Sequence, residues 1–262
     1  MKIALCLRGL ATGTSKSNSK VMGFLGWQSI VKNVCQGHDF DVFCHSWSTS
    51  VSDKIIETYK PKKYKFEDQI IFSDTYEKGM EKKPDAKIKK NVWAEQLIRS
   101  QMYSLSESIK LKSDYEKENN FLYDAVIILR YDIHFWEKVD YNYLLEHDKK
   151  ITYSRHPGRA SNIESSKKCK WWSGIKIWDV WWGGTSLAID TLIQSYDFSY
   201  KDEATSGSMH KAHQKKLRSV HMFYDDFFKY VNYNPAHVVP HPNYICDLNR
   251  IDPKNAISNG LI

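Results

Sequence analysis

Short apolar runs alternate with segments of helical spacing along the first part of the chain. Residues 2–7 form a continuous apolar run, followed by a stretch rich in glycine, serine and threonine. This pattern predicts a buried strand and then a flexible loop. Residues 21–35 carry apolar side chains at helical spacing, with Gly37 placed as a C-cap, and residues 41–45 predict a second strand. The order strand, loop, helix, strand favours a parallel sheet with helices on its faces.

The next segments combine a charged excursion with the most apolar run of the chain. Residues 54–90 are rich in lysine and show little apolar periodicity. They predict a solvated, loop-rich segment with one edge strand near residues 69–72. A long amphipathic helix is predicted, with apolar positions over residues 94–109 and a charged end at residues 114–118. Residues 124–129 follow, and their continuous apolar character is typical of a strand at the centre of a parallel sheet.

The second half of the chain predicts further elements of the same domain. A short helix is predicted at residues 141–147 and a strand at residues 151–154. Gly183 and Gly184 open another helix, a last helix covers residues 210–231, and an extended tail covers residues 237–248. No internal repeat is visible, and no linker rich in proline, glycine or serine separates two cores. We therefore expect one α/β domain over residues 1–262, with a mostly parallel central sheet flanked by helices.

Composition limits the class of protein. The chain has 262 residues, a formal net charge of +7 and 42% hydrophobic residues, which is typical of a globular protein. The sequence predicts neither a secretory leader nor a transmembrane segment, because its apolar runs are too short. The five cysteines are scattered, which argues against a disulfide framework or a zinc knuckle. We expect a cytoplasmic protein.

A carboxylate follows the predicted central strand. Asp132 comes shortly after residues 124–129. In open α/β sheets, ligands bind at the carboxyl ends of the strands, so this position favours a functional role. Carboxylate oxygens also suit Mg²⁺ or Mn²⁺, which often sit between protein carboxylates and substrate phosphates. The alternative is that Asp132 caps the turn after the strand.

A basic residue occupies the same place after the first strand. Arg8 precedes Gly9, where a backbone can approach a ligand closely. A guanidinium at this place can pair with a diphosphate through two hydrogen bonds. The loop matches neither the P-loop pattern nor G-x-G-x-x-G, which argues against a P-loop kinase and a dinucleotide-dependent dehydrogenase. The alternative is a solvated loop arginine.

Four segments resemble a known set of enzymes. They are residues 2–9 (KIALCLRG), 41–47 (DVFCHSW), 123–132 (YDAVIILRYD) and 178–184 (WDVWWGG). These segments resemble glycosyltransferases of the GT-A type from bacterial polysaccharide clusters and large DNA viruses. The resemblance implies a single Rossmann-type domain that uses a nucleotide-sugar donor. It further implies a donor-binding part over about residues 1–135 and an acceptor-side part over about residues 136–262.

The resemblance also implies a metal site and donor contacts. Such enzymes bind a metal through an Asp-x-Asp motif at the end of the central strand, and Asp132 fills its last position. The first position is Arg130, so a second ligand must come from elsewhere or the arginine must partly replace the cation. His241 is the candidate second ligand. We expect Arg8, Gly9, Arg130 and Asp132 to bind the donor, with Mn²⁺ or Mg²⁺ as cofactor.

A base for the reaction is expected near the tryptophan-rich segment. If the enzyme inverts the sugar, a carboxylate must take the proton from the acceptor hydroxyl. Asp179 lies within this segment and is the first choice. Asp225 and Asp226 are alternatives. A retaining mechanism would need no such base.

The tryptophans themselves suggest a sugar-binding surface. Trp171, Trp172, Trp178, Trp181 and Trp182 fall close together. Aromatic faces pack against the apolar faces of sugar rings, and Trp172 and Trp181 are the candidates for acceptor binding. The alternative for most of the five is packing in the core.

Three classes of function compete. The first is transfer of a sugar from a UDP-, GDP- or dTDP-sugar to a glycan acceptor, in the cytoplasm or, for a viral protein, the host cytoplasm. The second is metal-independent group transfer from a nucleotide donor, as in sulfotransferases. The third is carbohydrate binding without catalysis. Nucleic-acid binding is not expected, since the lysine-rich and tryptophan-rich segments are separate.

Overall fold

The computed structural model describes residues 1–14, 20–72, 86–146, 148–154, 178–198, 238–240, 246–248 and 250–251. The described strands, in chain order, are β1 Lys2–Gly9, β2 Thr12–Thr14, β3 Lys20–Met22, β4 Asp39–Ser46, β5 Lys63–Phe66, β6 Ala125–Arg130, β7 Ile133–Phe135, β8 Ile151–Ser154, β9 Trp178–Gly184, β10 Val238–Pro240, β11 Cys246–Leu248 and β12 Arg250–Ile251. The predicted helix over residues 210–231 lies outside the described residues.

Seven of these strands form one mixed, mostly parallel sheet. Their order across the sheet is β10, β8, β9, β6, β1, β4, β5. Strand β9 runs antiparallel to both of its neighbours, β6 and β8. The other neighbouring pairs run parallel. Strand β6 occupies the middle of this order, which confirms the central position predicted from its continuous apolar run.

Helices cover both faces of this sheet. They are α1 Trp27–Ile30, α2 Ser52–Tyr59, α3 Ala86–Asn119, α4 Tyr141–Leu145, α5 Ser186–Asp190 and α6 Ser195–Phe198. Alternate residues of β1 face opposite sides. One side packs Leu5 and Leu7 with Ile30 and Val34 near α1. The other packs Ala4 and Cys6 with apolar residues of α3, namely Met102, Leu105 and Ile109.

The helix predicted over residues 21–35 begins later and is irregular. Val21 belongs to β3, which pairs with β2 and β12. A 3-10 turn (Gly23–Gly26), α1 and a π-helical turn (Val31–Cys35) follow in succession. Gly23 lies too close to the backbone of Ala11 to carry a side chain, since an added Cβ would be 2.5 Å from the carbonyl oxygen of Ala11. The segment that begins at Gly23 therefore packs closely against the loop after β1.

The charged excursion carries more structure than its composition predicts. Helix α2 buries Ile55 and Tyr59, although lysines and acids surround them in sequence. The edge strand is β5, Lys63–Phe66, and residues 69–72 form no strand. Its lysines and aromatic residues alternate, which suits a half-exposed edge.

The two glycines of the tryptophan-rich segment end a strand and do not open a helix. Gly183 and Gly184 are the last residues of β9 and pair with Ile127 and Val126 of β6. An added Cβ on Gly183 would lie 2.8 Å from Cδ1 of Ile127, so a larger residue there would force neighbouring side chains to shift. Helix α5 begins after Thr185, whose hydroxyl accepts a hydrogen bond from the backbone N–H of Ala188 at 3.4 Å.

A buried charge cluster joins α3 to α5. Lys112 is fully buried, and its Nζ donates to Glu116 at 2.8 Å, Ser186 at 2.6 Å and Asp190 at 2.6 Å. Glu116 also accepts from the backbone N–H of Tyr123 at 2.8 Å. All three ammonium hydrogens of Lys112 are thus used, which compensates the cost of burying its charge.

Within the described ranges, no helix is both long enough and apolar enough to span a lipid bilayer.

Candidate functional site at the carboxyl edge of the sheet

Three polar side chains lie in a row where the central strands end. Arg8 of β1 is the register partner of His45 in β4 and of Arg130 in β6. In each of these strands, the residue two positions earlier points to the same face of the sheet and packs toward α3. The three side chains therefore lie on the face that α3 covers. The two arginines predicted as donor contacts are therefore immediate neighbours. This neighbourhood is the centre of the candidate site.

The carboxylate of Asp132 is bound by Arg130. Nε of Arg130 donates to Oδ1 at 2.9 Å, and Nη2 donates to Oδ2 at 2.7 Å. Asp132 is 1% exposed, whereas the side chain of Arg130 is 19% exposed. Both carboxylate oxygens thus carry a charge-assisted hydrogen bond, the paired geometry that guanidinium groups favour. In this arrangement Arg130 stands directly beside the carboxylate that it precedes in the motif.

The loop after β1 is held in a defined shape. Gly9 has φ +93°, which favours glycine. Its N–H donates to Oγ of Ser104 at 2.8 Å, and its carbonyl accepts from the N–H of Trp47 at 3.3 Å. The hydroxyl of Ser48 accepts from the N–H of Ala11 at 3.1 Å. The backbone that follows Arg8 is therefore anchored to β4 and α3.

A buried histidine missed by the sequence analysis connects these anchors. Nδ1 of His45 lies 2.7 Å from Oγ of Ser104, and Nε2 lies 2.9 Å from Oε1 of Glu67. Burial lowers the pKa of His45, although Glu67 opposes the shift. In the neutral ring, Nε2–H donates to Glu67 and Nδ1 accepts from the hydroxyl of Ser104. A polar residue at the end of an apolar strand is the signal that identified Arg8, and it applies equally to His45.

An ion-pair cluster on β5 and α3 surrounds this histidine. Nζ of Lys65 donates to the hydroxyl of Tyr103 at 2.6 Å and to Glu107 at 2.9 Å, and it lies 3.3 Å from Glu67. Burial acts to raise the pKa of Glu67, but hydrogen bonds from His45 and Tyr103 and the charge of Lys65 lower it overall. Glu67 is therefore charged and fixed as the partner of His45.

Strand β9 brings Asp179 to the same edge. Trp181 pairs with Leu129 of β6, and the two strands run antiparallel. Residues that precede Trp181 therefore lie toward the carboxyl end of β6. The regular pairing of β9 with β6 ends at Trp181 and Leu129, and the pairing of β9 with β8 is irregular between Trp182 and Trp178. The role of Asp179 as a base stays a prediction.

Trp181 and Trp182 of β9 lie in the core. Trp181 and Trp182 are both 0% exposed and belong to the cores on opposite faces of the sheet. The Trp181 ring centroid lies 6.0 Å from that of Phe135, and the Trp182 centroid lies 6.1 Å from that of Tyr153. Trp181 offers no ring face to an acceptor in this packing, so it fits the core alternative. Trp172 lies outside the described residues.

Segments from the end of the chain cross this edge. Strand β11 pairs with β7, with Leu248 opposite Ile133, the residue after Asp132. Strand β12 pairs with β3, which follows the loop after β1. The tail thus contacts the segments that follow both arginines. His241, the candidate second metal ligand, lies between β10 and β11 in the sequence and outside the described residues. Asp225 and Asp226, which precede β10, also lie outside the described residues.

The donor set for a divalent ion is incomplete among the described residues. Both oxygens of Asp132 accept hydrogen bonds from Arg130. The described residues contain no group of three or more histidine, cysteine, aspartate or glutamate side chains placed to hold an ion. These residues do not by themselves fit a metal in this arrangement. Mn²⁺ or Mg²⁺ at Asp132 stays a prediction.

Comparison of the sequence with known proteins finds no matching family model and no matching curated protein. The function is therefore inferred from the arrangement of residues at the carboxyl edge.

Proposed function

We propose that this protein is a glycosyltransferase that moves a sugar from a nucleotide-diphosphate donor to a glycan acceptor. The observation that carries the proposal is that Arg8 and Arg130 are register partners on adjacent strands at the carboxyl edge of the sheet. Ligands of open α/β sheets bind at this edge. A mixed sheet with one antiparallel strand beside the central strand is compatible with the GT-A type.

The two arginines suit the diphosphate of such a donor. A guanidinium binds two oxygens of a phosphate at once through parallel hydrogen bonds. Arg8 and Arg130 stand on adjacent strands, a spacing that lets each one face a different phosphate of the same diphosphate. Gly9, without a side chain, lets the donor approach the backbone beside Arg8.

The chemistry follows from these positions. The acceptor hydroxyl oxygen forms a bond to the anomeric carbon of the donor sugar, and the bond from that carbon to the diphosphate oxygen breaks. The electron pair leaves with the diphosphate, where Arg8 and Arg130 stabilise the developing negative charge. In an inverting reaction, Asp179 takes the hydroxyl proton as the general base.

The proposal is tested by nucleotide binding. UDP, GDP and dTDP are titrated in a thermal-shift assay, with Mn²⁺ and with a chelator. We expect at least one nucleotide to stabilise the wild-type chain and Arg8→Gln to remove most of that stabilisation. Lys117→Gln is the control, because Lys117 is an exposed cation on α3 with a 79% exposed side chain. The absence of stabilisation by every nucleotide would contradict the proposal.

One observation favours a second candidate. Asp132 is already paired with Arg130, so the described edge carries the buried Arg8 and the partly exposed Arg130 and no open carboxylate pair. This arrangement suits metal-independent transfer from a nucleotide donor, as in sulfotransferases. Stabilisation by adenosine 3′,5′-bisphosphate in preference to UDP, GDP and dTDP would favour that reaction class.

A further inference from the structure

The pair formed by Arg130 and Asp132 has the geometry of a bound anion. Two carboxylate oxygens face Nε and Nη2 of the guanidinium at 2.9 Å and 2.7 Å. A phosphate group presents two oxygens to the same fork of donors. Asp132 therefore occupies the Nε and Nη2 donors, one of the two paired edges that a phosphate could use on Arg130.

The two partners differ in their access to solvent. Asp132 is almost completely buried, while the Arg130 side chain keeps 19% of its surface exposed. Arg8 adjoins Arg130 through the strand register. An anion that arrives from solvent meets a guanidinium whose Nε and Nη2 donors are already used by a carboxylate of the same chain. The anion and Asp132 cannot both accept from these donors in the paired geometry.

We propose that Asp132 is an internal counter-anion, which the diphosphate of the donor displaces from the Nε and Nη2 donors of Arg130. The ligand class, a nucleoside diphosphate or inorganic pyrophosphate, rests on the proposed function. The displacement itself rests on the two hydrogen bonds. Asp132 thus lowers the affinity of the site for diphosphates and keeps Arg130 compensated until a donor arrives.

Removal of this carboxylate tests the competition. The probe is inorganic pyrophosphate, measured by titration calorimetry in a chelating buffer. Asp132→Asn leaves a neutral, weaker acceptor, so pyrophosphate should bind at least about 10-fold more tightly than to the wild-type chain. Arg130→Gln should lose most of the binding. An unchanged or weaker affinity in a folded Asp132→Asn chain overturns the proposal.

A control variant separates local competition from net charge. Asp124 lies just before β6, at its amino end, and Oδ2 accepts from the backbone N–H of Lys2 at 2.7 Å. Asp124→Asn makes the same change in charge at the opposite edge of the sheet. It should leave pyrophosphate affinity within about 2-fold of the wild-type value, because exposed charges at that distance are screened. An equal gain in both variants overturns the local explanation.

A second measurement uses the unaltered chain and does not depend on how Asp132→Asn folds. Arginine Nε–H groups are followed by ¹⁵N NMR during pyrophosphate titration, with the Arg130 signal assigned by its loss in Arg130→Gln. Displacement replaces the carboxylate acceptor of Nε by a phosphate oxygen, so this signal should move until the site is saturated. A signal that stays fixed at saturation overturns the proposal, because pyrophosphate then binds through other groups.

The same experiments separate this inference from the proposed function. Tighter pyrophosphate binding by Asp132→Asn, in a chain that transfers no sugar from any nucleotide-sugar donor, supports the displacement and contradicts the glycosyltransferase. Sugar transfer together with a fixed Arg130 signal on binding of UDP or GDP supports the enzyme and overturns the displacement.

Discussion

Arg8 and Arg130 are register partners on neighbouring parallel strands, and both side chains lie on the face of the sheet that α3 covers. Two cationic side chains on the same face of adjacent strands repel each other unless anions compensate them. Asp132 supplies one such anion through its paired contact with Arg130. This relationship is the basis of the proposed donor site.

Acid should destabilise the protein through His45 and Glu67. Burial lowers the pKa of His45 below its ordinary value of 6.5, so the unfolded chain binds a proton there more readily than the folded chain. The resulting stability is complete above pH 6.5 and declines as the pH falls. The lowered pKa of Glu67 acts in the same direction, since its contribution exists above about pH 4.5 and declines below that value.

This pH dependence is measured by urea unfolding from about pH 8 to about pH 5, the range in which histidine titrates. The free energy of unfolding of the wild-type chain should fall across this range. His45→Asn should be less stable at the upper end, because the contacts with Ser104 and Glu67 are weakened. Its curve should also be flatter between about pH 7 and pH 5. A variant curve parallel to the wild-type curve would refute the assignment.

Lys112 should be essential to the stability of the chain. Lys112→Met leaves Glu116 and Asp190 without their buried cation, and we expect a loss of about 3–5 kcal/mol in the free energy of unfolding. Lys117→Met is the matched control on the same helix. Lys117 is exposed and lies 4.0 Å from Asp114, so its loss should cost less than about 1 kcal/mol. Similar losses in the two variants would show that the buried cluster contributes little.

A side chain at Gly183 should destabilise the protein. The methyl group of Gly183→Ala would lie 2.8 Å from Ile127 and even closer to Leu144, so we expect a loss of about 1–3 kcal/mol. Leu144→Ala removes the nearest obstacle, and the double variant should lose less than the sum of the two single losses. Leu187→Ala, at an exposed position of α5, should change stability by less than about 0.5 kcal/mol. Strict additivity would indicate that Leu144 does not limit the space at Gly183.

The elements that the sequence predicted well have one physical cause. Strands β1, β6 and β8 are buried on both faces, so their apolar runs are continuous and their positions visible without knowledge of their neighbours. Strand β9 has no such pattern. Its consecutive residues Trp181 and Trp182 pack into the cores on opposite faces of the sheet. Its Gly183 is explained by close packing against β6. Neither constraint is local in the sequence.

In the candidate site as well, the sequence predicted the features that are local and missed those that depend on distant elements. Arg8 and Asp132 were found because a position after a buried strand is a local property. The contacts of His45 join it to Glu67 and Ser104, which come from separate elements, so no local pattern predicts them. The paired contact between Arg130 and Asp132 depends on the turn after β6, and the sequence suggested only that the arginine might partly replace a cation.

The central claim is that the edge shared by Arg8 and Arg130 binds the diphosphate of a nucleotide donor. A crystal structure of the wild-type chain with UDP or GDP soaked in tests this claim most directly. We predict diphosphate oxygens within about 3.2 Å of guanidinium nitrogens of both arginines. Nucleotide bound at another place, or a diphosphate that contacts neither arginine, would contradict it.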